Sequence, residues 1–182
     1  MLPAYRLTAQ INYTVPGNVP LLQQPSPNTC WATAATILIS WKNGPQTIQQ
    51  TMDNAGVTYG LKFKADAGLL GSEKPAFLLS IGMKAEGPQS YTAAGWLKLL
   101  KDFGPLWVTT NEGTQQKFAI HARVMIGISG DGSPSGTFVT LIDPATGKKA
   151  GETLQSFTKK LEDIARSDLG QGADIRPQVT HF

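Results

Sequence analysis

The sequence predicts an α+β fold, a helical half followed by an antiparallel sheet, on three observations. Apolar residues recur at helical spacing up to Phe103, and from Leu106 the period turns extended. The 182-residue length suits one domain spanning 1–182, large enough for a proper core.

Residues Tyr5 to Val15 alternate, with Leu7, Ala9, Ile11 and Tyr13 on one parity, so a short strand is predicted before Pro16-Gly17. Residues 1–20 are thus an N-terminal extension or strand. The first helix is predicted over Cys30 to Trp41. Pro25 and Pro27 keep the preceding chain extended, Asn28 and Thr29 are suitable N-caps, and Ala34, Ile37, Leu38 and Trp41 share a face. Asn43-Gly44-Pro45 stops it. A second helix is predicted over Pro45 to Ala55, with proline in its first turn and Gly56 at its end. Val57 to Leu70 shows no clear period and reads as loop with at most one helical turn. Ser72-Glu73-Lys74-Pro75 then opens a short helix reaching Ile81. Thr92 caps a clearer one, in which Trp96, Leu99, Leu100 and Phe103 form a core stripe closed by Gly104-Pro105.

Three strands follow, Leu106 to Thr109, Phe118 to Ile128 and Thr137 to Ile142. In the second, Phe118, Ile120, Ala122, Val124, Ile126 and Ile128 share one face, and His121, Arg123 and Met125 the other. A helix returns over Glu152 to Arg166 on Leu154, Phe157, Leu161 and Ile164. Residues 167–182 have no period and read as an edge strand or a frayed tail.

Composition excludes several function classes. No apolar run approaches the roughly 20 residues that cross a bilayer, so no membrane partner is expected. The N-terminus lacks the basic and apolar regions of a signal peptide. The formal net charge is +3, with 16 Lys and Arg residues scattered along the chain and paired tightly only at Lys148-Lys149 and Lys159-Lys160, so nucleic acid is not an expected partner. One cysteine and two histidines are too few for a structural zinc site without carboxylates, and one cysteine forms no internal disulfide.

That cysteine, Cys30, sits where a Pro-rich loop becomes a helix. Free N–H groups and the partial positive charge at a helix N-terminus favour a thiolate over a thiol. A cysteine nucleophile also needs a base and a group that orients the base. His121, early in an extended segment, suits the base better than His181, the penultimate residue of an unpatterned tail. The loop 130–136 is rich in turn residues and joins the second and third strands as a hairpin. Centred on Gly132 or Ser133, the hairpin gives paired positions a sum of 264 to 266, and a sum of 264 sets Asp143 directly opposite His121, with Cβ atoms roughly 5 Å apart. Taken singly, each residue has an ordinary role: a buried inert thiol, a structural strand histidine, a turn-opening Asp143-Pro144. Their combination carries the functional reading.

Gln24, six positions before Cys30, with Trp31 just after it and a small-residue helix following, resembles the nucleophile segment of papain-like cysteine peptidases. The runs Gly104-Pro105-Leu106-Trp107-Val108, His121-Ala122-Arg123-Val124 and Leu141-Ile142-Asp143-Pro144 are similar to compact bacterial branches of that family. These are the double-glycine leader peptidase domains of bacteriocin-exporting ABC transporters and the effector proteases injected by pathogens. The resemblance spans about residues 20–150. It implies a papain-like fold with the active site in a cleft between a helical lobe and the sheet, and an oxyanion hole made by the Gln24 side chain and the Cys30 N–H. A neutral amide suits that role, because it stabilises developing negative charge without perturbing the thiol. Gln23 is the fallback. Asn28-Thr29 before the cysteine and Asp143 as orienting group depart from papain and match the bacterial side.

The resulting expectation is a cysteine endopeptidase using Cys30, His121, Asp143 and Gln24, with a protein substrate and no cofactor. A toxin or effector domain delivered by a bacterial secretion machine into the cytoplasm of another cell is expected. An antibacterial toxin would also bring a cognate immunity protein that plugs the cleft. The alternatives are a peptidoglycan amidase, or a Gln deamidase or transglutaminase, with the same chemistry, and a non-catalytic binding module on the same fold.

Overall fold

The computed structural model describes residues 10–114 and 117–182. In chain order they form β1 (Ile11–Thr14), α1 (Cys30–Asn43), α2 (Ile48–Ala55), α3 (Val57–Lys64), α4 (Lys74–Ser80) and β2 (Lys84–Ala85). There follow α5 (Ala93–Phe103), β3 (Leu106–Asn111), β4 (Ile120–Gly130), β5 (Thr137–Asp143), β6 (Lys148–Thr153), α6 (Leu154–Gly170) and β7 (Val179–His181). This is the α+β architecture expected, a helical half followed by an antiparallel sheet ordered β2-β7-β3-β4-β5-β6. One edge of β4 is shared, with β3 along residues 120–125 and β1 along residues 127–130.

Helix α1 lies at the centre because it offers no polar face: every residue from Trp31 to Ser40 is buried. Its Ala34, Ile37 and Leu38 pack with Trp107, Ala122, Val124, Ile126 and Ile142 on one face of the sheet. The other face is covered by α5 and α6, where Trp96, Leu100, Phe157 and Leu161 meet Val108, Met125 and Leu141. The sheet is therefore buried on both sides.

Several boundaries differ from expectation for identifiable reasons. Helix α2 starts at Ile48, not Pro45, because Thr47 and Gln50 form a reciprocal capping box. Thr47 Oγ1 accepts the Gln50 N–H at 3.1 Å and Gln50 Oε1 accepts the Thr47 N–H at 2.9 Å. Where a loop was expected, α3 forms; its Val57 and Leu61 point to solvent and erase the apolar period. Strands β2 and β6 were not anticipated. β2 is two residues long, and β6 is a largely exposed edge carrying Lys148 and Lys149, a charge pattern that blunts pairing with other chains. With Glu152 and Thr153 in β6, α6 begins at Leu154. The Tyr5–Ala9 part of the expected first strand lies outside the described residues.

The single apolar face expected for β4 is broken by a bulge. Met125 pairs with Leu141 but Gly127 with Thr140, which leaves Ile126 as an extra residue. Ile126 joins Ala122 and Val124 against α1, while Ile128 falls on the opposite face with Met125. Glycine is required at 127, where a Cβ would lie 2.9 Å from the Tyr13 carbonyl oxygen of β1.

Residues 167–182 are neither an edge strand nor a frayed tail. α6 continues to Gly170, and β7 then inserts between β2 and β3 with all three residues buried. His181 Nε2 donates to Glu86 Oε1 at 2.8 Å, and the ring stacks on Phe103 with ring centroids 3.7 Å apart. Its role is packing at the far side of β3.

Candidate active site

The loop before α1 determines how the cysteine is presented. The N-cap residue Thr29 donates its hydroxyl to the Ser26 carbonyl at 2.9 Å, so no side chain caps the helix. The first-turn N–H groups are left free of a side-chain acceptor at the point where Cys30 stands, half-buried and unpaired. Burial alone pushes the Cys30 thiol up. Interaction with the His121 imidazole, together with the backbone N–H groups of Ala122 and Trp31, outweighs burial and holds the thiol below its ordinary value of 9.0.

His121 lies near the start of β4, where Nε2 is 2.7 Å from Asp143 Oδ1. With Nε2 occupied, Nδ1 is the nitrogen left for the thiol. Burial disfavours the imidazolium, but hydrogen bonding and charge from Cys30 and Asp143 prevail, and the His121 pKa is raised above 6.5. Asp143 closes β5 and serves two partners, since Oδ1 also accepts the Ala145 N–H at 2.9 Å. Burial raises its carboxyl, and the His121 and Ala145 hydrogen bonds bring it below the ordinary 3.8.

The route by which His121 reaches Asp143 is not the one expected. The ladder pairs Val124 with Ile142 and Met125 with Leu141, and that register continued sets Arg123, not His121, opposite Asp143. Beside Asp143 the hairpin follows the Ser133 centring, not the Gly132 one. His121 is two residues away on the same face, and the imidazole crosses the diagonal, within reach of a long side chain.

Gln24 is tied to the same turn by its backbone, whose N–H donates to the Pro144 carbonyl at 2.8 Å. Its side-chain Nε2 donates to the Ser26 and Pro27 carbonyls, each at 2.9 Å, and its buried Oε1 has no partner among the described residues. Gln24 thus braces the loop that leads into Cys30. The approach of this loop depends on Gly147, which has φ 66° and where a Cβ would fall 2.9 Å from Gln23 Cβ. Gln23 reaches Ala145 O at 3.2 Å and is exposed. The structure therefore brings Cys30, His121 and Asp143 together, sets Gln24 beside them on the preceding loop, and keeps His181 elsewhere.

A cavity of about 270 Å³ opens on Cys30 and His121, walled by Trp31, Leu69, Trp107 and Ile120. It also receives Lys74 and Arg176, which sequence reasoning did not single out. Lys74 carried no signal in a short helix beginning Lys-Pro, and Arg176 lay in the segment without a period. Among the described residues no group of three or more His, Cys, Asp and Glu side chains is arranged to hold a metal, and no helix is long and apolar enough to cross a membrane.

A thiol at the start of a buried helix thus stands with an imidazole at the start of one strand and a carboxylate at the end of its neighbour. Comparison with curated proteins gave no match. The family model described as papain-like cysteine protease AvrRpt2 matches residues 9–162, which include Gln24, Cys30, His121 and Asp143. The chain therefore belongs to the family of the papain-like cysteine protease AvrRpt2, a family of bacterial effector proteases, and is itself a papain-like cysteine protease.

Proposed function

We propose that the chain is an endopeptidase in which Cys30 is the nucleophile, His121 the acid and base, Asp143 the orienting group and Gln24 an oxyanion donor with the Cys30 N–H. The observation that carries this reading is the 2.7 Å contact of His121 Nε2 with Asp143, which leaves Nδ1 for the thiol. The opposed shifts, Cys30 downward and His121 upward, support a thiolate–imidazolium pair.

In this mechanism the Cys30 thiolate attacks the scissile carbonyl, and the oxygen takes up the negative charge. The Cys30 N–H and a Gln24 amide hydrogen, released from the Ser26 or Pro27 carbonyl, stabilise it. The imidazolium of His121 gives its proton to the departing amine, leaving an acyl-enzyme. His121, now neutral, takes a proton from water as that water attacks the thioester, and Cys30 is regenerated.

We take the chain as one peptidase domain, since β7 pairs inside the sheet that carries His121. Family membership supports delivery by a bacterial secretion machine into a target cell and action in its cytoplasm. An antibacterial version would come with an immunity protein that occupies the cleft. The test is to trap proteins from target-cell lysate on the Cys30→Ala chain and to sequence the new N-termini that the active chain produces. New N-termini absent from the Cys30→Ala control establish peptidase activity. Deamidated glutamines or cut peptidoglycan in place of new N-termini would overturn it in favour of an amidase or deamidase.

A further inference from the structure

Two cations stand in the cleft that peptide-bond chemistry does not use. Lys74 is only 5% exposed; its Nζ donates to Thr109 Oγ1 at 2.9 Å and to the Pro177 carbonyl at 2.8 Å, and lies 4.1 Å from the centre of the Trp107 ring. All three are neutral, and no carboxylate among the described residues pairs with this ammonium. Arg176 gives Nε and Nη2 to the buried carboxylate of Asp168, while its Nη1 makes no hydrogen bond among the described residues.

Both cations line the cavity that opens on Cys30 and His121, and no Asp or Glu lines it. Elsewhere the walls are largely apolar. An uncompensated buried cation is unfavourable unless something negative completes it. Burial and the neighbouring Arg176 push Lys74 down to about 7, with the Cys30 thiolate as the one group that raises it.

We propose that the cavity beside Cys30 takes an acidic side chain of the substrate, with the Lys74 ammonium as its counter-charge and Arg176 Nη1 as a second donor, so that cleavage occurs near an Asp or Glu seated there. This rests on the peptidase reading above. A carboxylate seated there accepts from the Lys74 ammonium and from the free Nη1 of Arg176 and holds the Lys74 proton that burial loosens, whereas an aliphatic side chain offers neither donor an acceptor. Lys74 lies within the 9–162 family match, while the Pro177 carbonyl that holds it and Arg176 lie beyond that match, so the selectivity is built jointly by residues inside and outside it.

The test is cleavage of a proteome-derived peptide library by the full chain, followed by kinetics on a Glu peptide and its Gln twin drawn from the observed sites. The expected result is enrichment of Asp and Glu at one position flanking the cut. The Glu-to-Gln ratio of kcat/KM should exceed about 10 and fall by about tenfold in Lys74→Met and in Arg176→Gln. Arg176 is partly exposed, so its variant keeps the test open where Lys74→Met does not fold. Cleavage with no acidic preference, or a ratio unchanged in folded Lys74→Met and Arg176→Gln, overturns this inference and leaves the peptidase reading standing. Failure to cut any peptide while iodoacetamide labels Cys30 overturns both.

Discussion

His121 meets Asp143 across a strand pair in which the two residues are not opposite each other: Nε2 and Oδ1 are 2.7 Å apart, yet the register of the ladder, continued past Val124 and Ile142, sets Arg123 across from the carboxylate. The diagonal leaves the imidazole edge toward Cys30 free. Asp143→Ala is expected to lower kcat/KM at least tenfold, and His121→Ala to lower it further, within the range of about 10²–10⁴ typical of a general acid–base group. Because Asp143 also helps raise the His121 pKa, Asp143→Ala should move the alkaline limb of the pH–rate profile to lower pH. Wild-type activity and an unmoved limb in Asp143→Ala would remove the residue from the mechanism.

The pH dependence of the unaltered enzyme follows from the two shifts. Activity should rise as the thiol ionises, below its ordinary 9.0, and fall as His121 loses its proton, above 6.5. The limbs belong to the coupled pair. For stability the signs are opposite for the two histidine partners. The raised His121 contributes stability that is full below pH 6.5 and lost as pH climbs through its folded value; the lowered Asp143 contributes above 3.8 and is lost as pH falls through its folded value. Denaturant midpoints across pH check this, and Asp143→Asn should flatten the acid side.

Gly147 holds the loop bearing Gln23 and Gln24 against the Asp143 turn. Gly147→Ala should destabilise the chain by about 1–3 kcal/mol through its positive φ, and lower kcat because the side chain would drive Gln23 away. Gly151→Ala is the control, since a Cβ there meets nothing nearer than 3.8 Å. Equal melting temperatures for the two variants would show that the loop yields freely.

Strand β7 is expected to be indispensable. Thr180 pairs with Trp107 on one side and Ala85 on the other, so Thr180→Pro should cost about 3 kcal/mol or more. A melting curve matching the unaltered chain would mean that the sheet closes without this strand.

Much of this was legible along the chain. The start of α1 at Cys30, the stripe of α5 and the cores of β3, β4 and β5 follow from proline, capping residues and apolar period, all of which act over a few neighbours. Cys30 and His121 could be named because the chain holds one cysteine and two histidines, Asp143 because a hairpin sets it near His121, and Gln24 because its spacing from Cys30 resembles the papain-like segment. The elements that were missed, α3, β2 and β6, are short and polar or carry apolar residues outward, and β7, expected at most as an edge strand, lies inside the sheet; they form because a neighbouring strand or helix is already present.

By itself the sequence determined the helical-then-sheet order and the candidates for cysteine-protease chemistry, since both rest on local patterns and residue identity. Tertiary structure alone decided the register. One bulge at Ile126 turns Ile128 to the other face, and the Ser133 centring beside Asp143 sets Arg123 opposite it and makes His121 reach it diagonally. It alone also decided that Lys74 and Arg176, about a hundred residues apart in sequence, share the cavity at Cys30. Strand pairing and loop closure are cooperative over the whole sheet, and no window of the chain contains both partners.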